Sequence, residues 1–256
     1  MAKREIIRLE VTESTNTEAL KAGRQGAASG TIVVAGTQTG GRGRLNRSWF
    51  SLPGMGLYFS IILRPGLDPE HLPQITLAAG LALCKAVEAE FSLSPEIKWP
   101  NDLLLDGRKF GGILTETESL AGSGSCHSAL VIVGVGLNLF PPERGFQPDI
   151  EDRATSISLH ADNDVSSEIL LERCVAAVEK EVRRLEKGQF PAILQEWLQR
   201  DAIQGKVLTW VAPKGKVVTG VSLGPDADGI LRIRDQEGAI HTVLSGDVAL
   251  VGKIPE

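Results

Sequence analysis

The chain has 256 residues, 42% of them hydrophobic and 23% charged, the composition of a globular protein with ample material for a core. Its formal net charge of -5 argues against a protein built mainly to coat nucleic acid, and its length fits one large domain with a small one. It contains neither a secretory leader, nor a run of apolar residues long enough to span a membrane, nor an extended repeat, so export, insertion and solenoid architectures are set aside and a cytoplasmic location is expected.

The first strand is expected near IIRLEV, followed by a helix whose start is marked by Thr15 and Glu18 in capping-box spacing. TIVVAG and GLYFSIILR read as further strands, and between them lies GTQTGGRGRLNRSW, with three arginines and four glycines in fourteen residues. LPQITLAAGLALCKAVEAEF has the crowded apolar pattern of a helix packed on a sheet. EIKW is a short strand ending at Pro100, and Asn101-Asp102 turns the chain. LLLDGRKFGGILTETE follows as a hairpin around Asp106-Gly107, and ALVIVGVGLNLF is a buried strand interrupted by glycines. Helices are expected from Ser166 to Gly188 and over FPAILQEWLQR. After Gly205 the texture changes to five short β-rich pieces, which predicts a small barrel. The fold class is therefore α+β: a mixed or antiparallel sheet with packed helices over 1–204, joined to a five-stranded barrel over 205–256.

Cys84, Cys126 and Cys174 lack the spacing of a disulfide framework or a zinc site, and Cys84 and Cys174 fall in apolar helical stretches as buried bystanders. His71, His127, His160 and His241 show no metal-ligand spacing and are expected to be neutral, on the surface or partly buried.

Four motifs carry chemistry. In GGRGR, glycines let the backbone approach a ligand while Arg42 and Arg44 offer charged forks suited to carboxylate or phosphate, with Trp49 nearby to stack on a ring. In KWPND, Lys98 ends a strand just before Pro100 and the Asn101-Asp102 turn, placing a cation and polar groups at a sheet edge. GVGLNL puts glycines inside a strand, a sign of a bulge or close approach, with Asn138 offering donor and acceptor. Ser14, Thr15 and Asn16 supply hydroxyls and an amide where a helix begins. Taken singly, each motif also has a purely structural explanation: surface ion pairs, a snorkelling lysine, tight packing and helix capping respectively.

Together, STN, TQTGGRGRLNRSW, KWPNDLLLDGRKFGGIL, GVGLNL and a small C-terminal barrel, in that order and over nearly the whole chain, resemble the biotin protein ligase family. The resemblance implies a class II aminoacyl-tRNA synthetase-like α+β fold of biotin/lipoate ligase type with an SH3-like barrel. It implies that biotin and ATP, with Mg²⁺ mainly on the ATP phosphates, give biotinyl-adenylate, and that a lysine of a biotin carboxyl carrier protein accepts the biotinyl group. Ser14, Thr15 and Gln38 would hold the ureido ring, and Arg42 and Gly43 would lie beside carboxylate and phosphate. Lys98 would touch the reacting oxygens, Arg44 would retain the adenylate, Trp49 would pack near the adenine and Asn138 would read its edge. Asn16, Gly41, Asn101, Gly112 and Gly136 complete the implied binding set, with Lys98, Arg42 and Arg44 as catalytic residues. No helix-turn-helix segment precedes Ser14, so neither repressor activity nor DNA binding is expected. Leu45-Asn46 stands where some relatives extend the loop with Arg-Gly, a difference that bears on loop mobility. An exposed sheet edge would allow two copies to pair. A lipoate-type ligase, and a non-catalytic module binding nucleic acid through GRGR, are the alternative readings; KWPND and GRGR favour biotin over lipoate.

Overall fold

The computed structural model describes residues 4–120, 128–211, 217–243 and 248–250. Cys126 and His127 lie outside them. Seven strands form one sheet: β1 (Ile6–Thr12), β2 (Ile32–Gln38), β3 (Gly56–Leu63), β4 (Glu96–Lys98), β5 (Asp102–Leu105), β6 (Arg108–Leu120) and β7 (Ser128–Asn138). Their order is β1-β2-β3-β7-β6-β5-β4, antiparallel except for the parallel β1–β2 pair, so the sheet is mixed.

Strand alternation gives the sheet two apolar faces. On one face, α1 (Thr15–Arg24) sets Ala19 against Val33, Ile62, Leu130 and Ile132. On the other face α2 (Gln74–Phe91), buried along most of its length, sits on Ile61, Val133 and Val135 and is backed by α3 (Ser167–Glu186) and α4 (Phe190–Leu198). Cys84 and Cys174 are buried in that layer, where loss of hydration pushes both thiols up. The three outer helices are also joined by charge: Glu181, buried on α3, accepts from Lys85 of α2 at 2.9 Å and from Arg184 at 2.6 Å, and both cations also reach Glu196 of α4.

The Asp106-Gly107 turn forms as expected. Both residues have positive φ, 49° and 71°, the requirement of a two-residue turn whose twist matches the strands. The expected capping box does not form. Ser14, not Thr15, is the N-cap, no side chain caps the helix, and the Thr15 hydroxyl is instead engaged with Gln38 and Ser60. Ser166 does cap α3, accepting from the Ile169 N–H.

The C-terminal segments β8 (Val207–Val211), β9 (Val217–Pro225), β10 (Leu231–Asp235), β11 (Ile240–Val243) and β12 (Val248–Leu250) make a five-stranded antiparallel sheet, ordered β11-β10-β9-β8-β12. Two links tie it to the large sheet. Residues 200–202 run beside the edge strand β4, with Ile97 bonded to Arg200 and Ala202, and the Trp99 indole N–H donates to the Gly229 carbonyl at 3.0 Å. No helix among the described residues is long and apolar enough to cross a membrane.

Asp201, in the connecting segment, is pushed up to about 6 by burial, against the opposing Ile203 and Gln204 N–H groups and Lys206 and with a smaller raising effect from Glu96. Its Oδ2 is buried without a hydrogen-bond partner. Because the folded state holds this proton longer than the unfolded chain does, the group makes stability fall as pH rises from about 4 to about 6, by no more than about 3 kcal/mol, and adds no slope above that. Chemical denaturation across this range should give a slope that Asp201→Asn flattens; equal slopes would place the titration elsewhere.

Candidate active site

A transverse row of residues organises the site. Backbone register aligns Lys98 (β4), Asp102 (β5), Gly112 (β6), Gly136 (β7) and Tyr58 (β3), so their side-chain positions share the face that carries α1. At Gly112 and Gly136 the row has no side chains, leaving a flat shelf. The Trp49 ring lies on it: an added Cβ at Gly136 would come within 2.5 Å of the indole, and one at Gly112 within 3.3 Å. Close approach of the ring excludes a Cβ at Gly136 unless the indole moves, and makes the fit tight at Gly112.

Over this floor lies a cavity of about 120 Å³ lined by residues of α1, β2, the arginine loop, β5, β6 and β7. One end is neutral and rich in hydrogen-bonding groups. Gln38 Oε1 accepts from the Thr15 N–H at 2.8 Å, its amide donates to the Ser51 hydroxyl at 2.7 Å, and the Ser60 hydroxyl bonds Thr15 and Asn16. Ser14 is buried at this end with its hydroxyl not used for capping. Asn16 lies over Gly134, which has no room for a Cβ, and donates to the Leu114 carbonyl and to Glu116.

The other end is charged. Arg42 pairs with Glu116 at 2.9 Å, and Arg44 donates to Asn101 Oδ1 at 3.3 Å while the Asn101 amide donates to the Ile113 carbonyl. Lys109 reaches Asp102 at 2.5 Å, and its ammonium stands 5.4 Å from the Trp49 ring centre. The arginine loop is a tight turn closed by Gly43 N–H to the Arg47 carbonyl at 2.7 Å and Trp49 N–H to the Gly41 carbonyl at 2.8 Å. Leu45, at its tip, is 58% exposed and takes φ 55°, a left-handed conformation that a non-glycine residue rarely adopts.

The cavity wall thus gathers Ser14, Thr15, Asn16, Gln38, Arg42, Gly43, Arg44, Trp49, Asn101, Gly112 and Gly136 from the sequence reading. Gly41 underlies the loop, where a Cβ would meet the Trp49 carbonyl. Like Gly41, two further expected residues stand outside the lining. Lys98 is half-buried in the same transverse row, one strand beyond Asp102, and the half-buried Asn138 donates its amide to the Thr155 carbonyl at 3.0 Å. Asp102, named in the sequence reading with Asn101 at the sheet edge, also lies on the wall, while three charged residues near the cavity were not singled out from sequence: Arg47 and Lys109 on the wall, and Glu116 as the partner of Arg42. Arg47 is the third arginine of the quoted loop, so its signal was visible. Among the described residues no three His, Cys, Asp or Glu side chains cluster as a metal site.

Hydrogen-bonding groups at one end of the cavity and cations at the other suit a ligand that combines neutral polar groups with negative charge. The chain belongs to the Biotin/lipoate A/B protein ligase family, whose model matches residues 9–138. It is 34% identical to the Bifunctional ligase/repressor BirA of Bacillus spizizenii over 96% of this chain and 74% of that protein. It is 33% identical to a biotin acetyl-CoA-carboxylase ligase of Paracoccus denitrificans, over 89% of this chain and 93% of that one. The fold matches the biotin protein ligase from Aquifex aeolicus in complex with biotin and ATP with a TM-score of 0.80 at 29% identity, covering 97% and 99% of the two chains.

Proposed function

We propose that this chain activates biotin as biotinyl-5′-adenylate and transfers the biotinyl group to a lysine of a biotin carboxyl carrier protein. The observation that carries the reading is the union, in one cavity, of a neutral corner made by Ser14, Thr15 and Gln38 with a charged end made by Arg42, Arg44 and Lys109. The corner supplies donors and acceptors for a ureido ring; the charged end suits a carboxylate meeting a phosphate. In the first step a carboxylate oxygen of biotin attacks the α-phosphorus of ATP and the bond to pyrophosphate breaks. In the second, the carrier's lysine amine attacks the acyl carbon and AMP leaves. Both partners of the first step are anions, so positioned cations offset their repulsion and the charge that builds in the transition state.

Arg42 and Gly43 would lie at the reacting centre, Lys98 would contact its oxygens, Trp49 would pack near the adenine and Asn138 would read the adenine edge. Mg²⁺ would enter on the ATP phosphates, as that ion commonly does. Residues 1–204 would act as the catalytic unit, with 205–256 as an SH3-like barrel. β1 ends the sheet order and offers an edge to a second copy.

The test is calorimetric titration with biotin and with lipoate, followed by ATP–pyrophosphate exchange. Exchange that requires biotin supports the reading; binding of neither acid, with no exchange, overturns it. Arg44 contacts Asn101 across the cavity mouth, so Arg44→Ala should release bound adenylate about tenfold faster than wild type, the size of one lost charge-assisted hydrogen bond. Equal dissociation rates, followed with labelled adenylate, would remove Arg44 from that role.

A further inference from the structure

Arg42 is a long side chain on a glycine-flanked loop, and an arginine so mounted has many rotamers to lose before it can meet an anion. What restrains it comes from the sheet below. Its Nη2 donates to Glu116 Oε2 at 2.9 Å, the one side-chain hydrogen bond Arg42 makes among the described residues. The two side chains are 46% and 31% exposed, and an ion pair in that setting, taken alone, adds little. Glu116, however, is itself held. The same oxygen, Oε2, accepts from the Asn16 amide at 2.7 Å. Asn16 is buried and its orientation is settled from both ends: Nδ2 faces two groups that only accept, the Glu116 carboxylate and the Leu114 carbonyl, while Oδ1 accepts from the Ser60 hydroxyl at 2.6 Å. Ser60 is fully buried on β3, and its register partner on β7 is Gly134, where an added Cβ would stand 2.0 Å from Asn16 Oδ1. A chain of hydrogen bonds thus runs from the buried β3 through α1 and β6 to the arginine on the cavity wall.

Resting on the ligase reading above, we propose that Glu116 is a positioning residue for adenylate formation: held by Asn16, which Ser60 orients, its carboxylate fixes one edge of the Arg42 guanidinium and leaves the other donors of the fork to the reacting acid and phosphate. The shape of the fork allows both at once. A guanidinium carries five N–H donors in one plane and Glu116 engages Nη2, so an incoming anion need not displace it. The restraint acts before the substrates arrive, so Arg42 is already ordered in the folded protein and loses little further freedom in the transition state. Glu116 itself stands outside the cavity lining, farther along β6 than the shelf glycine Gly112, and acts only through Arg42.

Both bonds end on one oxygen, which the carbonyl oxygen of a glutamine can replace, and this separates positioning from charge. Glu116→Leu, which keeps the bulk and removes the acceptor, should lower kcat/KM for biotin in ATP–pyrophosphate exchange by about 10- to 100-fold, the range of a lost hydrogen bond to a charged group. Glu116→Gln, which accepts both bonds, should stay within about threefold of wild type. With Arg42→Ala already in place, Glu116→Leu should cause no further loss, because a residue that acts through Arg42 has nothing left to position. Should the leucine protein not fold, Glu116→Ala takes its place in both comparisons. If Glu116 served only to brace the sheet, the loss would follow Tm and would recur in full without Arg42. Glu116→Leu with exchange close to wild type, Glu116→Gln as slow as Glu116→Leu, or an undiminished effect of Glu116→Leu beside Arg42→Ala overturns the proposal. Wild-type protein without biotin-dependent exchange would instead remove the ligase reading itself, so the two failures are distinguishable.

Discussion

Alanine in place of Lys98 is expected to lower biotin-dependent ATP–pyrophosphate exchange on the order of 100-fold or more, the cost of removing one positioned donor from a developing charge. Lys98 shares a face with Asp102, Gly112 and Gly136 in the row that floors the cavity, and it is half-buried on the three-residue edge strand β4. Lys98 is half-buried and is not one of the buried core residues, so circular dichroism and Tm should stay close to wild type. Lys98 stands outside the cavity lining, so the proposed contact with the reacting oxygens would require its flexible four-carbon stem to extend along the row. Full turnover in a folded Lys98→Ala protein would take this lysine out of the chemistry and leave the cationic work to the arginine loop and Lys109.

Glu181→Ala should lower stability on the order of 3 kcal/mol, which for a chain of this size is a Tm drop of roughly 6–12 °C. Its side chain is 1% exposed and is the shared acceptor of Lys85 and Arg184, so its loss leaves one cation from each of two packed helices crowded onto Glu196 of the third. Glu196 is partly buried, which alone would raise its carboxyl, but hydrogen bonds from Lys85 and Arg184 outweigh that and hold it below its ordinary value. Because Glu181 faces the helix layer and not the cavity, biotin affinity should be unchanged below the transition. A melting temperature within a degree or two of wild type would show that Glu196 suffices for both cations.

Much of this molecule was legible in its sequence because the signals were local. β-branched runs gave the strands, the Asp106-Gly107 pair gave the hairpin turn, and apolar crowding gave α2. The motifs that carry the family resemblance also carry most of the cavity wall. What escaped was set by register. A bulge shifts the β5–β6 pairing between Leu103 and Leu104, so Asp102 lies opposite Gly112 while Lys109 lies opposite Leu104, and only that offset lets the Lys109 stem reach back to Asp102. Nothing in the spacing of RKFGG encodes it. Thr15 likewise had the spacing of a cap, but a competing acceptor, Gln38 from a strand twenty-three residues later, was invisible until the strands were assembled. Sheet order was beyond reach for the same reason: β7 lies between β3 and β6, and only that order brings Gly136 beside Gly112 under Trp49.

The bond from the Trp99 indole to the Gly229 carbonyl has a consequence for anyone wishing to treat the C-terminal strands as an exchangeable cassette. Trp99 is the neighbour of Lys98 and, through Pro100, of Asn101, so the small sheet grips the segment that places Asn101 on the cavity wall. A chimera that swaps in a foreign C-terminal piece would have to reproduce that carbonyl, or the segment from Lys98 to Asn101 would lose its anchor while every residue of the cavity wall remained in place.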